Sequence, residues 1–174
     1  MRAAQVCPVM SNYPEMSLQN RAEQPYVGTT ASITMDDFSP VVDGLTQVIG
    51  RLAERDLQSA GPPFFRYRVI DMEGHMVVEA GVPVDEPIVV DGLDADVLPA
   101  GRYVTTTFTG HPQQLVGVTA DLLRWADDQG LAFEQHTGPE GDVWGCRLEF
   151  HETDPAVEPD MNRWTTTLAF RLAD

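Results

Sequence analysis

The chain has 174 residues, 27 of them acidic and 11 basic, for a formal net charge of -16, and every basic side chain besides its histidines is an arginine. Such a surface repels phosphate and anionic lipid, so direct nucleic-acid binding and membrane-surface binding are not expected, whereas cationic partners are favoured. No apolar run reaches the roughly 18 residues of a membrane span, Met1 to Val6 leads into no signal-peptide core, and Cys7 and Cys146 lack metal or redox spacing. The expected setting is the cytoplasm, with reduced thiols and no cofactor or metal.

Residues 1–22 mix Pro, Asn, Gln, Met and Ser without period and are expected to form a flexible tail, with one domain over residues 23–174. Tyr26 to Ile33 is rich in β-formers. Thr34-Met35-Asp36-Asp37 then offers an N-cap, and Phe38, Val41, Val42, Leu45, Val48, Ile49 and Leu52 recur at helical spacing. Ala60-Gly61-Pro62-Pro63 breaks the chain before two strands, Phe64 to Ile70 and His75 to Val82, joined by the turn residues Asp71-Met72-Glu73-Gly74. A less regular segment, Pro83 to Asp96, follows.

The same order then returns. Tyr103-Val104-Thr105-Thr106-Thr107 echoes Tyr26-Val27-Gly28-Thr29-Thr30 at an offset of 77 residues, and Gly138-Pro139 stands at that offset from Gly61-Pro62. Pro112 suits the first turn of a helix, and Leu115, Val118, Leu122, Trp125 and Ala126 supply its apolar stripe. Two closing strands are expected, Val143 to His151 and Trp164 to Leu172. The pattern predicts an α+β fold made of duplicated strand-helix-strand-strand units, with an antiparallel sheet and helices on one face, its opposite face being either solvent or a cleft.

Within Trp144 to His151, simple alternation puts Trp144, Cys146, Leu148 and Phe150 on one face, expected under the helices. Arg147, Glu149 and His151 fall on the other. Glu149 is then expected to look out from the helix-free face towards Tyr67, Trp164, Tyr103 and either Phe64 or Phe65. Aromatic walls around one carboxylate select a flat hydrophobic cation. The plainer alternative is a solvated or paired acid, with Arg147, Arg66, Arg68 or Arg171 as partner. His151 is placed to act as a general base beside Glu149 or as a polar surface residue, and His75, His111 and His136 sit in turn-like contexts. No HExxH, paired CxxC, phosphate loop or Gly-x-Ser-x-Gly elbow is present.

Leu98-Pro99-Ala100-Gly101-Arg102-Tyr103, Leu122-Leu123-Arg124-Trp125, Leu148-Glu149-Phe150-His151-Glu152-Thr153-Asp154-Pro155 and the closing Trp164 strand together resemble the GyrI-like small-molecule-binding family. That family is also the effector-binding domain of AraC-type and MerR-type multidrug regulators, and its fold resembles the SOUL haem-binding superfamily. The resemblance implies a cleft between the two units and a cleft acid at Glu149. It places His151 where the family pattern has Tyr, a change expected to make binding pH-dependent near neutrality, and it assigns Tyr67 and Trp164 to cleft aromatics. It implies a stand-alone binder of hydrophobic or cationic aromatic compounds, monomeric or homodimeric, without a DNA-binding domain. Two other activities of stand-alone relatives are open: hydrolysis of cyclopropane-bearing compounds, using Glu149 and His151, and inhibition of DNA gyrase by protein contact.

Overall fold

The computed structural model describes residues 14–71 and 73–174. The first 13 residues of the expected tail, Cys7 among them, lie outside the described residues. Order begins earlier than Glu23: strand β1 (Ser17–Arg21) pairs antiparallel with β6 (Gly101–Thr109). Its short polar sequence carries no alternation, so only the waiting edge of a partner strand identifies it.

The duplicated units are present. The first runs β2 (Gln24–Thr34), α1 (Ser39–Glu54), β3 (Phe64–Ile70) and β4 (His75–Pro83); the second runs β6, α2 (Leu115–Asp128), β9 (Arg147–His151) and β10 (Thr165–Arg171). Edge strand β5 (Asp94–Leu98) and a hairpin of β7 (Gln135–Gly138) and β8 (Gly141–Trp144) complete a ten-stranded sheet of order β1-β6-β10-β9-β3-β4-β2-β5, with β8 also on β3. The order β6-β10-β9 mirrors β2-β4-β3, so the units meet at the β9–β3 ladder around a pseudo-twofold axis. Only Pro99 and Ala100 separate β5 from β6. That short link draws the two ends of the strand path together, and the sheet curls.

Local side-chain hydrogen bonds precede both helices, although neither N-cap residue, Phe38 or Gln114, caps with its own side chain. Asp37 Oδ1 accepts the Ser39 N–H at 3.0 Å, and α1 begins there rather than in the preceding Thr34 to Asp36 segment. His111 Nδ1 accepts the Gln113 N–H, and Pro112 opens the 3-10 turn leading into α2 as its missing donor permits. The α1 stripe is narrower than the sequence suggests, since Val41, Val48 and Leu52 are buried while Val42 and Ile49 are each 49% exposed.

One core lies on the helix side, where Val41, Val118, Leu122 and Ala126 meet Phe65, Val78, Ala80, Val104, Leu168 and Phe170. The opposite, inward-curled side holds its own core of Tyr26, Phe64, Leu98, Tyr103, Cys146, Leu148, Phe150 and Ala169. Helix α1 packs over β2 and β4 and α2 over β6, so the central strands β3 and β9 lie between the helices. Val84 and Val90 bury against Val48 and Leu52, which places the irregular segment after β4 beside α1, away from the central strands. No described helix is long and apolar enough to cross a membrane.

Candidate functional site

The expected strand from Val143 to His151 is two strands. β8 pairs with the far end of β3 through Val69↔Val143, and β9 pairs with its near end through Phe64↔Phe150, Phe65↔Glu149 and Arg66↔Leu148. A register shift in β3 between Tyr67 and Val69 and the break at Gly145-Cys146 separate them. At the break Gly145 leaves room for the Glu134 side chain, whose carboxylate would have to move aside for a Cβ there. The break resets the alternation, so Trp144 lies in the helix-side core while Cys146, Leu148 and Phe150 lie in the opposite one.

This overturns the expected orientation of the acid. Side chains directly opposite in an antiparallel ladder share a face. Glu149 is opposite Phe65 on β3 and Leu168 on β10, both members of the helix-side core. It therefore stands on the helix face, at the seam between the units and between the two helices. The correction has a simple cause: alternation fixes which residues go together but not which face receives the helices.

Around Glu149 the strands assemble a compact group. Tyr67, its diagonal neighbour, donates its hydroxyl to Glu149 Oε2 at 3.2 Å. Arg147 does not pair with the acid: among the described residues no ion pair within 4 Å joins them. Its guanidinium instead rests over the Trp144 and Phe170 rings, 4.6 Å from each centroid, with Tyr67 at 5.8 Å. The other candidate partners are engaged elsewhere, Arg68 with Glu79 at 3.2 Å and Asp96 at 3.0 Å, Arg66 with the Tyr26 hydroxyl and Arg171 with Glu134. Glu149 is thus a carboxylate without a salt bridge.

The electrostatics follow. Glu149 keeps some solvent access, but the surrounding protein desolvates it and raises its pKa to about 7, an increase opposed by the Tyr67 hydrogen bond and the Arg147 charge. Burial, with the adjacent carboxylate, drives Tyr67 well above the ordinary phenol value. Desolvation lowers Arg147 to about 10, leaving it charged at neutral pH. His151 packs edge-on against Phe65 with centroids 4.4 Å apart, and its buried Nε2 has no hydrogen-bond partner. Desolvation lowers its pKa to about 4, so titration near neutrality belongs to Glu149 rather than to His151.

Two other expected residues make their own contacts. Tyr103 is 1% exposed in the opposite core, and its hydroxyl donates to the Pro99 carbonyl at 2.6 Å. Trp164 follows a 3-10 turn before β10, with its indole N–H donated to the Glu158 carbonyl at 2.7 Å. Phe65, Leu168, Trp144 and Phe170 take the wall positions. Their type was visible in the sequence, but their convergence depends on strand order and on the break at Gly145. Among the described residues no group of three His, Cys, Asp or Glu side chains is placed to hold a metal.

Comparison with known proteins identifies the architecture. The family model of the GyrI-like small molecule binding domain matches residues 14–141, a span that stops short of β9. No curated protein sequence matches the chain. The crystal structure of the EcmrR C-terminal domain superposes with a TM-score of 0.70 at 18% identity, covering 92% of this chain and 98% of that one. The EcmrR chain in its DNA complex superposes at 0.73, with 18% identity and 92% of this chain covered, but this chain spans only 58% of it. SAV2435 bound to tetraphenylphosphonium gives 0.58 at 14% identity, with 91% and 94% covered. A hydrolase from Listeria innocua gives 0.62 at 9% identity, with 94% of each chain covered. At these identities the likeness is one of fold.

Proposed function

Because the chain belongs to the family of GyrI-like small-molecule-binding domains, we propose that it binds hydrophobic, cationic aromatic compounds at the seam between its units, with Glu149 selecting the charge. One observation carries this reading: Glu149 is desolvated and has no salt bridge, while the nearest guanidinium is spread over Trp144 and Phe170. A bound cation would supply the missing countercharge, and Phe65, Tyr67 and Leu168 would supply apolar contact. The tetraphenylphosphonium complex of SAV2435 supports a lipophilic cation as the ligand class for this fold. Sensing and sequestration both follow from such a site.

Tryptophan fluorescence, with Trp144 at the aromatic wall, gives the test. Tetraphenylphosphonium is expected to quench saturably, triphenylphosphine oxide much less, and Glu149→Gln to weaken the cation by about tenfold, or about 1.4 kcal/mol. Equal affinity of wild type and Glu149→Gln for the cation refutes the assignment. A second reading has one observation in its favour: a carboxyl with a pKa of about 7 beside a phenol is suited to general-base hydrolysis. A binder returns its ligand unchanged, whereas a hydrolase releases product from an excess of substrate.

A further inference from the structure

The inward-curled side of the sheet carries a feature that the cleft chemistry does not use. Where the β1–β2 link and the β5–β6 link cross the curled end of the sheet, they leave a cavity of about 370 Å³. This lies within the roughly 300–1,000 Å³ of small-molecule sites, and the mouths of curled sheets and barrels are common places for them. The buried side chains of Leu98, Tyr103, Leu148 and Phe150 underlie it, and Pro62, Pro83 and Pro99 line its rim. Leu148 and Phe150 alternate with Glu149 along β9, so this cavity and the Glu149 group lie on opposite faces of the sheet.

Its polar equipment is distinctive for so acidic a protein. Arg21 lines the cavity with its guanidinium over the Phe150 ring at 4.8 Å and the Tyr103 ring at 5.8 Å. Among the described residues it has no ion pair, and neither residues 1–13 nor Met72 includes an acid that could provide one. Most other described arginines are matched, among them Arg55 with Asp91, Arg68 with Glu79 and Arg171 with Glu134. Gln24, the neighbouring amide, already donates to the Pro25 and Val84 carbonyls. Glu23 stands exposed at the rim and opposes an anion there, so selectivity rests on the deeper guanidinium. A guanidinium set over two rings, with no side-chain hydrogen bond or ion pair among the described residues, matches a carboxylate or sulfonate attached to an apolar body.

We propose that this cavity is a second small-molecule site, of charge preference opposite to the first, which takes an aromatic or aliphatic acid whose anionic group pairs with Arg21 while its apolar part lies against the partly exposed Pro62 and Pro99. The proposal does not depend on ligand binding at Glu149.

The test is a fluorescence titration with 1-anilinonaphthalene-8-sulfonate, with its uncharged relative N-phenyl-1-naphthylamine in parallel. Four variants are compared: Arg21→Gln, Arg21→Lys, Gly61→Leu and Glu149→Gln. Gly61 lines the cavity, and a Cβ there meets only Pro83 ring carbons at 3.7 and 3.9 Å, so a larger side chain fills the space without a backbone clash. Circular dichroism and melting curves establish that each variant is folded. The expected result is saturable binding of one sulfonate per chain, weakened about tenfold or more by Arg21→Gln and by Gly61→Leu, partly retained in Arg21→Lys and unaltered in Glu149→Gln. Equal binding in wild type, Arg21→Gln and Gly61→Leu overturns the proposal, as does a loss confined to Glu149→Gln. Tighter binding of the uncharged probe than of the sulfonate overturns the anionic preference.

Discussion

If Glu149 must be ionised to receive a cation, its raised pKa makes affinity depend on pH in a defined direction. With a pKa of about 7, about one molecule in eleven is ionised at pH 6 and about ten in eleven at pH 8. Tetraphenylphosphonium should therefore bind about tenfold more tightly at pH 8 than at pH 6, with about one proton released per cation bound at the lower pH. Isothermal titration calorimetry in buffers of differing ionisation enthalpy measures both quantities. Glu149→Gln should bind weakly with a flat profile. The same shift has the opposite consequence for stability: a carboxyl whose folded-state value lies above its ordinary 4.5 favours the folded state at low pH, and that contribution is lost as pH rises from about 4.5 to about 7. Glu149→Gln should accordingly stabilise the empty protein at pH 8 by an amount of order 2–3 kcal/mol, and by much less at pH 4.5. A cation affinity that is constant from pH 6 to pH 8, or a Gln variant that keeps the wild-type slope, refutes the reasoning.

Three further outcomes are expected. Tyr67→Phe removes the hydrogen bond that holds the Glu149 pKa down; cation affinity at pH 7 should fall by the few-fold that about 0.5–1.5 kcal/mol represents, and the midpoint of the pH profile should move upward. Burial depresses His151 from 6.5 to about 4, so wild-type stability should decline as pH falls through that interval, and denaturant melts should show a shallower decline in His151→Phe. Gly81→Ala places a methyl group against the Phe64 ring and within 2.9 Å of Tyr26 Cδ2, and urea unfolding should show a loss of about 1–3 kcal/mol.

The other face of the sheet explains why Arg66 and Arg68 do not reach the acid. Tyr26 donates its hydroxyl to Glu79 and accepts from Arg66 Nη1 at 3.1 Å and Arg68 Nη2 at 3.2 Å. Arg68 also binds Asp96 at 3.0 Å, tying β3 to edge strand β5. Arg66 and Glu79 are 5% and 4% exposed, and the Tyr26 hydroxyl between them links the buried guanidinium to the buried carboxylate. The network holds two of the arginines that the sequence offered to Glu149, and so helps leave that carboxylate available.

Much of this molecule is written in local pattern. Helical spacing gave α1 and α2, Pro112 marked the entry to the second, Asp71 to Gly74 made the β3–β4 turn, and the echo of Tyr26-Val27 in Tyr103-Val104 announced the duplication, because each depends on neighbours within a few residues or on a repeat that survives in sequence. The strand β1 was invisible, since a short polar stretch becomes a strand only through the edge of β6. Glu149 and Tyr67 could be singled out as a carboxylate and a ring on strands, and they do meet; Tyr103 has the same chemistry and faces the opposite core. What separates them is strand order, the register shift at Tyr67 and Val69, and the break at Gly145, all set by contacts between segments distant in the chain. The sequence by itself determined which residues alternate together, but only the packing of both helices on one face decided that Glu149 would be desolvated between them and Arg21 left over the rings on the other side.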